Sequence, residues 1–536
     1  MRKNSVPKTS VSSVSSVSPS GISYIDGIEG GVKWANPNLT YSFPTSSSYY
    51  GSTYGAGEEN NGFKTFTAIQ QAATTSILDM YSQVANLTFT QITETATQHA
   101  TLRYAESDSP STAWGYYPST APEGGDAWFN NSTHWYDNPV VGNYAWLTIM
   151  HETGHLLGLK HPQDVSGSFG ALPVSADSLE YTVMSYRSYI GASTTQGLTN
   201  ATWSFPQTLM MDDIAALQYM YGANYNTNSG DTVYKWNPAT GQETINGVAQ
   251  AAPGGNTIFM AVWDGGGNDT YDFSNYATNV TVDLQPGSWT TASTAQLAYL
   301  GGGHYAAGNI ANSYMFNNNP ASLIENAVGG SGNDSLTGNT ANNKLTGGAG
   351  NDTLDGASGT DTASYSGPSD AYQVTQNADG SWQVVDLRTG SPDGTDTLKN
   401  IEYLQFANNT LAIGPMQPPA GQTSTNSAGL TQTTTVSATT SNNALAGTAA
   451  NEVLFGNDGN NTFVFAPNSG KDSATDFHAD RDVLQFNHTA FTDAADALAH
   501  SAQMGSDVTV TVDAGHSVTL SNSVLSPLNV HQVHLV

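Results

Sequence analysis

The sequence predicts a chain in three parts. An α+β domain, a twisted sheet plus one histidine-bearing helix, comes first. A parallel β-roll/β-sandwich follows, and a second β-rich module ends the chain. Three observations predict this. One is the stretch 151–161, His151-Glu152-Thr153-Gly154-His155-Leu156-Leu157-Gly158-Leu159-Lys160-His161. Another is the mixture of period-2 and period-3.6 apolar patterns that stops near residue 222. The last is a nine-residue glycine repeat that begins at Gly329.

Residues four apart share a helix face, so His151 and His155 can grip one ion, with Glu152 beside them to hold a water. His161 lies six residues on, about 600° of turn and about 240° off that face. It joins them only if the helix ends first, and Gly158 permits that because glycine accepts the left-handed conformation at a helix end. The spacing asks for a helix, a break and a return, closing on one zinc ion.

The 536 residues suggest three or four folding units and carry a formal net charge of -30, 14 Lys+Arg against 44 Asp+Glu. That charge argues against nucleic acid and against anionic membrane surfaces as partners. Acidic side chains on glycine-rich loops suit calcium, which takes oxygen ligands. There is no cysteine, hence no thiolate metal site and no disulfide. No apolar run is long enough for a membrane span. The first residues have a basic start (Arg2, Lys3, Lys8) but no apolar core segment, so no secretory signal peptide is expected there.

In chain order, residues 1–20 read as a flexible tail or short propeptide. Residues 21–222 hold the zinc domain. Leu39, Tyr41 and Phe43 alternate as a strand. Phe66, Ile69, Ala73, Ile77, Met80, Tyr81 and Val84 recur as the stripe of an amphipathic helix. Strands are expected near Leu87 to Phe89, Leu102 to Tyr104 and Ala127 to Phe129. Ala113, Trp114, Gly115 and Tyr116 form a candidate edge strand for substrate. The histidine helix begins near Tyr144, and Asp212 to Tyr221 reads as a last helix ended by Gly222.

Residues 223–414 form the β-roll part. Gly329-Gly-Ser-Gly332-Asn-Asp334-Ser-Leu336-Thr is followed by a weaker copy from 338, in which Asn343 replaces the aspartate. A strong copy starts at Gly347 and carries Asp352. A decayed one from 356 keeps Gly359 and Asp361. Each repeat supplies a turn whose carbonyls and aspartate bind calcium, and a short strand whose one apolar residue (Leu336, Leu345, Leu354) fills the core. Calcium is assigned to Asp334 and Asp352, and more weakly to Asp361 and Asp458. Asn343, a neutral ligand, should weaken its site. Plain strands follow around Tyr372, Trp382 and Tyr403. Residues 415–443 read as a linker rich in Thr, Ser, Pro and Gln. Residues 444–536 form a second β module of related repeats that ends in an apolar tail.

The histidine motif together with Met184-Ser-Tyr186 resembles the metzincin metallopeptidases. Pro162, directly after His161, is similar to the serralysins, secreted bacterial proteases with calcium-binding repeats of the RTX type. The stretch 211–218, Trp263-Asp264, Asp269-Thr-Tyr-Asp272 and Ile324-Glu325-Asn326 agree. The resemblance covers residues 21–365. It implies an α+β metzincin catalytic domain followed by a calcium-binding β-roll/β-sandwich. It implies zinc ligands His151, His155 and His161, Glu152 as general base, Met184 as the turn beneath the metal, and Tyr186 as a switchable fourth ligand that supports the oxyanion. It implies one calcium site from Asn228, Gly230, Thr232, Asp264, Gly266 and Asp269, and a second from Gly267, Asp269, Leu323 and Glu325. The repeats would bind through Gly330, Gly332, Asp334, Gly347, Ala349 and Asp352.

The function implied is a monomeric, secreted zinc endopeptidase acting on extracellular proteins. It would leave a Gram-negative cell by the type I export machinery and meet a proteinaceous inhibitor as a further partner. The ending Gln532-Val-His-Leu-Val536 keeps the apolar character of such export signals but lacks their acidic residue. Two alternatives stand beside this one. One is a calcium-dependent adhesin with a vestigial protease domain, against which the intact set of His151, His155, His161, Glu152, Met184 and Tyr186 speaks. The other is a zinc hydrolase of a non-peptide bond.

Overall fold

Thr67 and Gln70 start the first long helix, Ala68–Val84, by a reciprocal cap: the Thr67 hydroxyl accepts from Gln70 N, and the Gln70 side-chain Oε1 accepts from Thr67 N. Ala73, Ile77, Leu78 and Tyr81 bury one face of it. Ile69, expected on that face, is 54% exposed. Gln70 takes the inward position instead, donating to Glu106 and to the Tyr136 carbonyl. The helix leans on the histidine helix, where Tyr81 Oη donates to Met150 O at 2.8 Å.

The computed structural model describes residues 13–51, residues 54–413 and, between 434 and 535, the strands, one helix and short segments beside them. It divides into two compact units, Met1–Ala420 and Gly421–Val536. No helix among the described residues is long and apolar enough to cross a membrane.

In the first unit a twisted sheet runs Thr88–Gln91, Asn38–Ser42, Leu102–Ser107, Asp126–Asn130 and Ala113–Gly115, with Lys64–Thr65 beside Leu102–Ser107. Its first four strands are parallel, and Ala113–Gly115 closes the edge antiparallel. Tyr116, expected in that strand, lies just beyond it. Of the flexible tail expected over 1–20, the described part, residues 13–20, is ordered. Val14–Ser16 pairs antiparallel with Val32–Trp34, and Val14 and Val17 pack against the core, which is reason enough for the strand to settle there.

The histidine helix spans Tyr144–Leu157, as its pattern predicts. Asn143 caps it by accepting from Trp146 N. Every residue from 145 to 157 is buried. Gly158 ends it in the left-handed region at φ 111°, and a Cβ there would lie 2.2 Å from Val32 O. The chain then turns back through Lys160, whose N donates to Ile28 O. The last helix, Met211–Tyr221, starts at Met210, whose N donates to the Asp213 carboxylate.

The core does not break at residue 222. Phe259, Ala261, Trp263, Ala298, Leu300 and Ala311 bury into the same cluster as Met150, Met184 and Met210. Residues 21–222 and 223–413 therefore pack as one unit. Farther on, the nonapeptides alternate between two parallel sheets. Asn326–Val328, Lys344–Thr346 and Thr362–Ser364 stack in one, Ser335–Thr337 and Thr353–Asp355 in the other. Leu336 faces Leu354 and Leu345 faces Ala363, all fully buried. An antiparallel run, Tyr372–Gln376, Trp382–Asp386 and Thr395–Lys399, completes the second sheet.

The second unit repeats this two-sheet plan. One sheet holds Thr434–Ser437, Glu452–Phe455, Lys471–Ala474 and Ser517–Leu520, with Asp507–Thr511 and Ser501–Met504 beyond. The other holds Ala444–Ala446, Thr462–Phe465, Val483–Phe486 and Val533–Leu535. Phe463, Phe465, Leu484, Phe486 and Val518 fill the space between. The linker expected over 415–443 therefore contains a strand at Thr434–Ser437, a run of β-branched residues suited to one. Residues 1–12, the rest of the expected linker, the repeat turn with Asp458, Gln532 and Val536 lie outside the described residues.

Replacing Gly158 with Ala should lower stability by about 2 kcal/mol or more, from the left-handed backbone and the clash with Val32 O together. The first thermal transition should fall. An unchanged midpoint would contradict the assigned helix end.

Candidate metal centre

Each of the three histidines donates its Nδ1 proton to an oxygen that can only accept. His151 Nδ1 donates to Val183 O at 2.8 Å, His155 Nδ1 to Leu159 O at 2.8 Å, and His161 Nδ1 to Asp164 Oδ2 at 3.0 Å. A neutral imidazole has one N–H, so all three Nε2 atoms carry bare lone pairs. Those atoms converge: His155 and His161 Nε2 are 3.0 Å apart, and His151 and His161 Nε2 are 3.2 Å apart. Bare nitrogens so close repel unless a cation lies among them. Tetrahedral zinc, with bonds of 2.0–2.1 Å, sets its ligand nitrogens about 3.3 Å apart. The donor set fits zinc. Burial, reinforced by the neighbouring rings, pushes His151 down to about 3 and His155 well below the ordinary imidazole value. Burial also lowers His161. All three stay neutral and ready to ligate.

Glu152 stands beside them, 5% exposed, and its Oε2 has no hydrogen-bond partner among the described residues. Burial pushes its carboxyl up to about 8, with the Gly115 N–H acting the other way. Gly115 is needed there, since a Cβ would meet Leu156 Cδ1 at 2.6 Å and Glu152 O at 2.8 Å. The edge strand can approach the histidine helix only at a glycine. Trp114 and Tyr116 turn to Glu58, Trp114 Nε1 donating to Glu58 Oε1 at 3.0 Å and Tyr116 Oη to the same oxygen.

Met184 is fully buried, and a Cβ on Gly154 would lie 2.5 Å from its Sδ. Gly154, within the motif but unassigned from the sequence, thus makes room for the methionine. Tyr186 sets its ring 4.3 Å from that of His161 and 5.7 Å from that of His151. Burial raises its hydroxyl, so it stays protonated. A cleft of about 460 Å³ opens at Glu152 and Tyr186, walled by Ala113, Leu147, Thr195 and Leu198. Val183, Leu159 and Asp164 are histidine partners that sequence reasoning missed, two of them because they act through backbone carbonyls. Tyr117, packed 5.3 Å from His155, was also missed.

The residues expected to bind calcium assemble as well. Tyr234 Oη and Gly266 N donate to Asp264, Thr232 N donates to Asp269 Oδ1, and Asp269 N donates to Glu325 Oε2. Thr232 Oγ1 reaches the carbonyls of Gly230 and Asn228. Gly267 lies against Asp269 and Gly230, and Leu323 precedes Glu325 on one segment. In the repeats Gly330 N donates to Asp334, Ala349 N donates to Gly330 O, and Asp334 N donates to Asp352 Oδ1. A Cβ on Gly350 would meet Gly332 O at 1.9 Å, and one on Gly347 would meet Asp352 Oδ2 at 2.2 Å.

One pattern recurs. Asp269, Asp352 and Asp361 each spend one oxygen on an N–H of the turn before, whereas both oxygens of Asp334 accept backbone N–H groups, from Val280 and Gly330. The second oxygen of Asp269, Asp352 and Asp361 is buried with no partner among the described residues. Such oxygens beside turn carbonyls fit a hard cation. Asn343 differs: its amide donates to Glu325 O at 2.8 Å, filling the place of a cation with its own N–H. Asp396 and Glu402 continue the two columns below Asp352 and Asp361, and were missed because they fall outside the nonapeptides.

Fold and site together define a three-histidine metal centre beside a mixed sheet, with a β-roll packed after it. Residues 33–169 match the Matrixin family, residues 223–413 the Peptidase M10 serralysin C terminal family, and residues 434–465 the RTX calcium-binding nonapeptide repeat. The chain is 35% identical over 308 residues to Metallopeptidase AprA of Pseudomonas marginalis, a match covering 55% of this chain and 59% of that protein. It is 33% identical over 311 residues to Serralysin B of Dickeya chrysanthemi, covering 56% and 58%. It is 32% identical over 327 residues to Metalloprotease AprA of Pseudomonas entomophila (strain L48), covering 58% and 61%. The matched stretch spans about three fifths of the length of these relatives. Over residues 33–413 and 434–465 the chain is similar to the serralysin-type metallopeptidases with RTX repeats.

Burial pushes Asp352 up to about 7 and Asp361 up to about 8. Folded values above the unfolded value of 3.8 mean the folded state binds more protons, so calcium-free stability should fall as pH rises from about 4 to about 8. Calcium-free protein should melt lower at pH 8 than at pH 5, and added calcium should raise the pH 8 midpoint. Equal midpoints with and without calcium would contradict the cation sites.

Proposed function

We propose that the chain is a secreted zinc-dependent endopeptidase that hydrolyses peptide bonds in extracellular proteins. The observation that supports it best is the convergence of three neutral imidazole Nε2 atoms on a cleft that also holds an unpartnered, buried carboxylate. Zinc held by His151, His155 and His161 would supply a Lewis acid that polarises a carbonyl and acidifies a water molecule. The Glu152 carboxylate takes the proton of the attacking water and passes it to the departing amine. Its partnerless Oε2 is the atom free to do so. The Tyr186 hydroxyl, kept protonated by burial, donates to the oxyanion that forms as the carbonyl is attacked. Tyr186 would also be a switchable fourth ligand of that zinc.

The substrate lies extended beside Ala113–Gly115, whose outer edge adds a strand to the sheet. Glu58 holds Trp114 and Tyr116, which keeps that edge in place. Calcium stiffens the roll in several sites, and the second unit carries further repeats. The repeats and the similarity to the serralysins support export by a type I route from a Gram-negative cell.

Glu152→Ala should bind zinc at close to one equivalent and lose at least about 100-fold of its casein hydrolysis. Comparable hydrolysis by this variant would contradict the role of Glu152. Full zinc binding with no hydrolysis even by the parent would favour the adhesin reading.

A further inference from the structure

Beneath His151 the polar groups run in one direction. His151 Nδ1 donates to Val183 O at 2.8 Å. That carbonyl shares its peptide with the N–H of Met184, which donates to Thr182 Oγ1 at 3.0 Å. The Thr182 hydroxyl donates in turn to Asp213 Oδ1 at 2.6 Å. Asp213 Oδ2 accepts from Val183 N at 2.8 Å and from Met210 N at 2.9 Å. Thr182, Val183, Met184 and Asp213 are all fully buried. The groups acting on Asp213 are its burial and these donors, with no cationic side chain among them.

A helix cap explains the bond to Met210 but not the other two. Donors in series polarise one another, each strengthening the next. A carboxylate at the far end draws electron density along the whole series toward the imidazole. The other rings lack this arrangement: beneath His155 the Leu159–Lys160 peptide passes its N–H to the Ile28 carbonyl rather than to a hydroxyl and a carboxylate, and His161 rests on the half-exposed Asp164.

We propose that Thr182 and Asp213 are positioning residues for the metal centre. Through the peptide between Val183 and Met184, they hold His151 as its Nδ1–H tautomer and make its Nε2 a stronger donor. They also lock the methionine turn to the last helix, so ring and turn keep one geometry. This rests on the zinc reading of the three histidines. Partners of this kind change metal affinity by about 10–100-fold when removed.

The test uses the full-length zinc-loaded protein and a chromophoric zinc chelator. Thr182→Val keeps the shape and removes only the hydroxyl. Thr182→Ser restores it. Asp213→Asn keeps an acceptor for the two backbone N–H groups while its amide reverses the bond to Thr182. Thr182→Val and Asp213→Asn should bind zinc about 10-fold or more weakly, and Thr182→Ser should stay within about twofold of the parent. The melting midpoint of each metal-free variant is read alongside. A fallen midpoint with parental zinc affinity would mean a structural role only and would overturn the proposal. Should Thr182→Val fail to fold, Asp213→Asn decides by the same criterion. A parent that binds no zinc would instead sink the reading of the centre, a separate result.

Discussion

Three imidazoles that have each given their only N–H away from one another impose the central constraint. Their Nε2 lone pairs face inward at 3.0 and 3.2 Å, an arrangement that repels itself without a cation. The surrounding fold exists to hold it. Gly158 ends the helix so that His161 can return, Gly154 lets Met184 close up from below, and Gly115 lets the edge strand approach from the side. Three glycines at one centre reflect three close backbone approaches, each of which a Cβ would block.

The roll obeys a parallel constraint with oxygen in place of nitrogen. Asp352 and Asp361, buried by the stacked turns, keep one oxygen for the backbone and leave the other without a partner among the described residues. Protons or calcium must satisfy those oxygens, which links the formal charge of -30 to the fold. The two centres are joined by packing, because Trp263 and Leu300 share a core with Met184 and Leu209.

What was legible in the sequence was whatever local spacing encodes. The histidine helix, its glycine break, the last helix and the nonapeptide ladder were read within a residue or two. So was the edge strand at Ala113, Trp114 and Gly115. What was not legible depends on contacts distant in sequence. Val14–Ser16 looks like a polar tail and becomes a strand only because Val32–Trp34 lies open beside it. Ile69 fits the apolar stripe, yet Gln70 turns inward because Glu106 and Tyr136 await it. The histidine partners Val183 and Leu159 act through carbonyls, which have no side-chain signature. Asp213 reads as one acid of a pair, and only the fold carries it beneath the methionine turn.

Anomalous diffraction at the zinc edge from crystals of the full chain tests the central claim most directly. One strong peak about 2.0–2.1 Å from Nε2 of His151, His155 and His161 is the predicted result. No peak among those nitrogens, or zinc bound elsewhere with the three rings protonated and apart, would contradict it.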